Sequence, residues 1–97
     1  MSNCISTENK KELCKIMASN LSTLREKAKM TQDELADRVG LSRQTISAIE
    51  NDKFDMQWST FSILAMFFMK NKEIKQIMIV MGILNKDVEK IFTITDA

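Results

Sequence analysis

The chain has 97 residues, enough for one domain with a modest core but too few for two independent cores. Hydrophobic residues make up 44% and charged residues 28%, as in ordinary soluble globular proteins. The formal net charge of +1 neither supports nor excludes nucleic-acid binding, because that depends on how the charges are distributed. Histidine is absent, and no nucleophile–base constellation, phosphate-binding loop or metal-ligand cluster is present, so we expect no enzyme, no cofactor and no metal site.

Cys4 and Cys14 are the only thiols and do not form a Cys-x-x-Cys pair. They fit a reducing compartment as unpaired, incidental thiols; the alternative is a redox switch in which Lys15 lowers the pKa of Cys14 slightly. The N-terminus lacks the pattern of a signal peptide, and the most apolar run, residues 61–69, is less than half the length that spans a bilayer. We therefore expect a soluble cytoplasmic protein that does not enter a membrane.

The first predicted element is a helix. Proline is absent and glycine occurs only twice, so the whole chain favours helix. Ser6 or Thr7 can cap the first helix, and apolar residues recur at three- and four-residue spacing on one face: Leu13, Met17, Leu21, Leu24 and Ala28. The pattern is compatible with one helix over residues 8–27 or with a break near residues 19–20.

The next two elements are short helices joined by a very short turn. Thr31 and Glu34 have the spacing of a capping box, and Gly40 suits the left-handed conformation that ends a helix. Ser42 can start the following helix, in which Ile46 and Ile49 point inward. A connection of about three residues predicts a helix-turn-helix.

Three further helices are predicted after a polar connection at residues 51–55. One runs roughly from Gln57 or Ser59 to Lys70. Another is capped by Asn71 and stops at Gly82, and a last short one is capped by Asn85 and reaches toward Phe92. The predicted fold class is all-α.

The central segment resembles the lambda repressor-like, Cro-type helix-turn-helix family. The resemblance extends from Met17 to Phe68 and rests on Leu24-Arg25, on residues 31–36 (TQDELA) and on residues 39–51 (VGLSRQTISAIEN). It implies a compact five-helix DNA-binding domain over residues 16–70. Residues 1–15 would then form an N-terminal arm or helical extension. Residues 71–97 would form a C-terminal region of one or two helices and a possible dimerisation element.

The helix that starts at Ser42 is the predicted reader of the major groove. With Ile46 and Ile49 inward, Arg43, Gln44 and Ser47 lie on its outer face, where they can donate to base edges. Amides at the helix starts near Ser42, Thr31 and Gln32 can bind phosphate oxygens. The resemblance implies that Gln32 also braces Arg43 and that Asn51 and Lys53 contact phosphate. The alternative is a merely solvated helix face.

The resemblance also implies a buried or half-buried ion pair between Arg25 and Glu50, where the alternative is two independent surface charges. Asp52 stands where the family often has glycine, and Met56 where it often has proline. Asp52 tolerates the left-handed region moderately well, so we expect the turn to form. Asp52 and Asp55 also place negative charge beside the expected phosphate contacts, which should weaken non-specific binding.

The fourth helix and the C-terminal region carry more apolar surface than five small helices normally hide. Trp58 is predicted to anchor the core, together with Phe61, Leu64, Ala65 and Phe68. Either the C-terminal helices fold back over the fourth helix, or they form a homodimer interface. The candidate dimer residues are Phe67, Ile77, Met81, Leu84, Val88, Ile91 and Phe92.

Three functions are compatible with this sequence. The first is a transcriptional repressor that binds a palindromic operator in double-stranded DNA as a homodimer. The second is an antitoxin that regulates its own operon while its C-terminal region neutralises a toxin. The third is a protein-interaction module with weak or no DNA binding.

Overall fold

A computed structural model describes residues 5–92 of the protein. In this range the chain forms six α-helices and no strand: α1 Thr7–Lys27, α2 Gln32–Val39, α3 Arg43–Glu50, α4 Trp58–Met69, α5 Lys72–Met81 and α6 Lys86–Phe92. The all-α prediction is confirmed, and the five short connections leave the helices close together in space.

Helix α1 is continuous. The Ser6 hydroxyl accepts a hydrogen bond from the backbone N–H of Asn9 at 3.1 Å, which caps its first turn. Of the two alternatives for this segment, the structure shows the continuous helix, and the side-chain amide of Asn20 donates to the carbonyl of Ile16 at 2.8 Å. The helix also crosses the predicted boundary between residues 15 and 16. Leu13 is buried, so this part of α1 contributes to the core.

Four helices end next to a residue with positive φ. Gly40 and Gly82 have φ of 77° and 86°, as expected for glycine at a helix end. Lys29 and Asp52 adopt φ of 60° and 59° after α1 and α3. The turn at Asp52 therefore forms as predicted, whereas the positive φ at Lys29 is not predicted from the sequence.

The core of the described chain lies around α4. Phe61, Leu64, Ala65 and Phe68 are buried, as predicted. Trp58 is only half-buried: its ring stacks on Phe61 with centroids 4.7 Å apart, and the Lys10 ammonium lies 5.4 Å from its ring centroid. The prediction that Trp58 anchors the core is therefore corrected, because the start of α4 lies at the edge of the core.

The C-terminal helices fold back over the protomer. Ile74 and Met78 of α5 and Val88 of α6 are buried in the same core, and Lys75 forms an ion pair with Glu89 that joins the two helices. Leu84 and Val88 are 2% and 0% exposed. They are therefore removed from the candidate dimer residues, because their side chains are already covered within one chain.

Apolar side chains nevertheless remain at the surface of α4 and α5. Ile63 and Met66 are 41% and 48% exposed, and Ile79 and Val80 are 42% and 85% exposed. The other predicted dimer residues, Phe67, Ile77, Met81, Ile91 and Phe92, are half-buried. Folding back thus covers part of the apolar excess of the C-terminal region and leaves the rest available to a partner.

Candidate nucleic-acid interface

The start of α2 is fixed by a reciprocal capping box. The Thr31 hydroxyl accepts from the backbone N–H of Glu34 at 3.1 Å, and the Glu34 carboxylate accepts from the backbone N–H of Thr31 at 2.9 Å. At the other end, the N–H groups of Gly40 and Leu41 both donate to the carbonyl of Ala36. Helix α2 is therefore held rigidly at both ends, and its C-terminal turn leads directly into α3.

The orientation of α3 is set by its buried side chains. Ile46 and Ile49 are 0% and 1% exposed, so one face of the helix is held against the core. The Ser42 hydroxyl caps the helix by accepting from the backbone N–H of Thr45 at 3.0 Å. The opposite face, near this capped start, is consequently turned outward.

The predicted base-reading residues lie on that outward face. Arg43 and Gln44 are exposed, and Ser47 is half-buried one turn further along. The Ser47 hydroxyl accepts from the Asn51 amide at 3.3 Å. The arrangement offers a guanidinium and an amide, which can each make two hydrogen bonds to a purine, and a hydroxyl beside them.

The predicted phosphate-binding residues lie at three helix ends. Thr31 and Ser42 are exposed at the starts of α2 and α3, where backbone N–H groups are oriented toward solvent. Asn51 and Lys53 are exposed just after α3. The backbone N–H of Lys53 donates to the carbonyl of Ala48 at 2.8 Å, which links Lys53 to the last turn of α3.

The predicted pair between Arg25 and Glu50 is present and is part of a larger network. Arg25 Nε donates to Glu50 Oε2 at 2.8 Å, and Nη2 donates to Oε1 at 3.1 Å. Arg25 Nη1 also donates to the carbonyl of Met30 at 2.9 Å. The two side chains are 14% and 8% exposed. The hydrogen bonds to Glu50 raise the pKa of Arg25, against the opposing effect of burial, so the guanidinium stays charged.

Gln32 is a member of the same network, which the sequence did not predict. Its side-chain amide donates to Glu50 Oε1 at 3.0 Å, so it points toward the end of α3 rather than toward Arg43. The expectation that Gln32 braces Arg43 is therefore not met in this structure. Glu50 attracts the Gln32 amide because each carboxylate oxygen can accept more than one hydrogen bond.

Asp33, not Gln32, is the side chain of α2 that meets Arg43. Arg43 Nε lies 3.7 Å from Asp33 Oδ1, and the two side chains are 61% and 76% exposed. Sequence reasoning missed this residue. The available signal was a carboxylate in the first turn of α2, next to the position from which the family braces the reading residue.

Cys14 does not have the environment of a reactive thiol. It is 6% exposed, and burial, followed by the nearby negative charge of Asp55, raises its pKa. This is opposite to the slight lowering expected from Lys15. Cys4 lies outside the described residues. Among residues 5–92, no three cysteine, aspartate or glutamate side chains gather into a possible metal site.

The fold and this interface together define a helix-turn-helix protein. Residues 21–55 match the family model described as helix-turn-helix, and this confirms the predicted lambda repressor-like, Cro-type family for that segment. This match supports a DNA-binding transcriptional regulator in general. Comparisons with curated proteins and with solved structures give no match for the chain. Within the described range, no helix has both the length and the apolar character needed to cross a membrane.

Proposed function

We propose that the protein is a cytoplasmic repressor that binds a palindromic operator as a homodimer and inserts α3 into the major groove. One observation carries this proposal: burial of Ile46 and Ile49 turns exposed Arg43 and Gln44 outward at the capped start of a helix. A bound dimer would block access of the transcription machinery to the promoter, so no chemical step is needed.

The base contacts follow from donor geometry. Arginine is suited to O6 and N7 of guanine, and glutamine to N6 and N7 of adenine. We assign these contacts to Arg43 and Gln44, with Ser47 donating to a neighbouring base. Each bidentate contact is worth about 1–3 kcal/mol of discrimination against the wrong base pair.

Phosphate contacts would hold α3 in register. We assign them to the helix starts at Thr31 and Ser42, and to the side chains of Asn51 and Lys53. Gln32 can still contribute, because one N–H of its amide donates to Glu50 and the other is available. The same interface carries exposed Asp52 and Asp55, which oppose phosphate binding and make affinity depend more on the base contacts.

Dimerisation is proposed to use the exposed face of α5. Val80 is 85% exposed and Ile79 is 42% exposed, with half-buried Ile77 and Met81 beside them. Phe67, Ile91 and Phe92 are further half-buried candidates. A two-fold dimer can place two copies of α3 about 34 Å apart, the length of one turn of DNA.

An antitoxin is the second candidate, and a specific surface favours it. An open groove between α2 and α4 is lined by four apolar and two cationic side chains: Arg38, Val39, Ile63, Met66, Phe67 and Lys70. Such a surface suits a protein partner. Co-purification of a small protein, or a toxin-like reading frame beside the gene, would favour this function.

Selection of bound sequences from random duplex DNA tests the main proposal. We expect enrichment of a palindrome, and a dimer mass by light scattering at micromolar concentration. A protein-interaction module with weak or no DNA binding would give no enrichment even at low salt, where phosphate contacts are strongest. That result would overturn the proposed repressor function.

A further inference from the structure

Two neighbouring side chains at the start of α2 point to different parts of α3. Gln32 donates to Glu50, at the end of α3, with a distance of 3.0 Å. Asp33 lies 3.7 Å from the guanidinium of Arg43, the first residue of α3. The two ends of the helix are thus held from adjacent positions of α2.

The Gln32 contact limits what else that side chain can do. Glu50 is 8% exposed and already accepts two hydrogen bonds from Arg25, so its carboxylate is held in one place. An amide that donates to this fixed carboxylate is drawn away from Arg43. Of the two side chains at the start of α2, only Asp33 therefore meets the reading guanidinium in this structure.

We propose that Asp33 is a positioning residue that sets base specificity by orienting the Arg43 guanidinium. This inference rests on the proposed DNA contact of Arg43. An unrestrained arginine samples many rotamers and can donate to several acceptors, including phosphates and different base edges. The Asp33 carboxylate lies beside the Nε edge of the guanidinium, which leaves the two terminal nitrogens for the paired acceptors O6 and N7 of guanine.

The pair is too exposed to contribute much to folding. With 61% of the Arg43 side chain and 76% of the Asp33 side chain accessible, solvent screens their attraction, and exposed pairs of this kind add little stability. A role in orientation makes a different prediction from a role in stability. Loss of Asp33 should alter which base is preferred and leave the fold unchanged.

The charge of Asp33 has a second effect that must be separated from orientation. Removing any carboxylate near the DNA reduces repulsion from phosphates and strengthens binding to all sequences. Asp37 provides the matched control, because it is an exposed aspartate on α2 one helical turn from Asp33 and is not part of an ion pair in the described chain. Asp33→Asn and Asp37→Asn change net charge equally.

The experiment is selection from random duplex DNA with the wild type, D33N, D37N, R43A and the double variant D33N/R43A. At the base pair that R43A affects, we expect D33N to lower the preference for the favoured base by about threefold to tenfold. D37N should keep the wild-type preference. At that base pair, the double variant D33N/R43A should lose no more preference than R43A alone. Circular dichroism should show the same helix content in all five proteins.

Three outcomes overturn the inference while the repressor function stands. The first is that D33N and D37N have the same base preference. The second is that the base preference of D33N is stronger than that of the wild type. The third is a loss of base preference in D33N that adds in full to the loss caused by R43A. Absence of any enriched sequence for the wild type is a separate result, because it defeats the proposed DNA contact itself.

Discussion

Arg25 and Glu50, which are 25 positions apart in the chain, meet through two hydrogen bonds of 2.8 and 3.1 Å. One side chain comes from the last turn of α1 and the other from the last residue of α3. The pair therefore ties α3 to α1. Because Gln32 and the carbonyl of Met30 join it, the network also holds the connection between α1 and α2.

Replacing Glu50 with alanine should cost stability. It would leave the Arg25 guanidinium, only 14% exposed, without its carboxylate, and it would leave the Gln32 amide without its acceptor. We expect the free energy of unfolding to fall by about 2–4 kcal/mol, somewhat less than the cost of breaking a completely buried ion pair. Urea denaturation measures this change. Glu12→Ala, which removes an exposed carboxylate of α1, is the control and should change stability by less than about 0.5 kcal/mol. A denaturation midpoint unchanged in Glu50→Ala would show that the pair is not structural.

Replacing Lys29 with glycine should stabilise the fold. Lys29 has φ of 60°, and its N–H donates to the carbonyl of Glu26 at the end of α1. Glycine removes the steric cost of this conformation but adds entropy to the unfolded chain, so the net gain should be at most about 1 kcal/mol. Lys27→Gly is the matched control, because Lys27 is helical and the same change there should cost about 0.5–1 kcal/mol. Equal destabilisation of both variants in thermal unfolding would contradict the prediction.

Cys14 should make stability fall at alkaline pH. Burial and Asp55 raise its pKa above the ordinary thiol value of 9.0, so the folded thiol stays protonated after the unfolded one has ionised. The folded state then binds more protons, and the free energy of unfolding decreases as pH rises from about 9 through the folded pKa. The slope is at most about 1.4 kcal/mol per pH unit for one group.

Denaturation of Cys4→Ala and of Cys4→Ala/Cys14→Ala at pH 8, 9 and 10 isolates this contribution. The stability of the protein that retains Cys14, relative to the one without it, should shrink at the higher pH values. A difference that stays constant with pH would show that the folded thiol ionises as readily as the unfolded one.

Lys53 should contribute to affinity without contributing to sequence preference. Its side chain is exposed just after α3, and the proposed interface assigns it to a phosphate, a contact that carries no sequence information. We expect Lys53→Ala to weaken binding to all duplexes alike and to reduce the slope of log affinity against log salt concentration by about 1. Lys72→Ala, at an exposed position of α5, is the control for a loss of the same charge elsewhere. A changed base preference in Lys53→Ala would argue for a direct base contact instead.

Val80 should be required for the dimer. Its side chain is 85% exposed on α5, so Val80→Asp can be introduced without disturbing the core. We expect this variant to have a monomer mass in light scattering at micromolar concentration, together with wild-type helix content. Gln76→Asp changes an exposed position one turn earlier in the same helix. It tests whether an added negative charge is by itself sufficient to dissociate the dimer. A wild-type protein that is itself monomeric would remove the proposed interface.

The sequence by itself determined the helices and the character of the interface. Capping residues at Ser6, Thr31, Ser42 and Asn71 and the stop at Gly40 are local signals, because each acts through hydrogen bonds or backbone conformation within a few residues. The spacing of Ile46 and Ile49 likewise fixed which face of α3 turns outward.

Only the tertiary structure decided how distant segments meet. The positions of Gln32 and Asp33 relative to α3 depend on how α2 packs against α3. As a result, these neighbouring residues of one helix contact opposite ends of the other. Leu84 and Val88 are predicted dimer residues, but they belong to the core because α5 and α6 fold back. Hydrophobic periodicity marks a side chain as buried without saying whether its own chain or a second copy covers it.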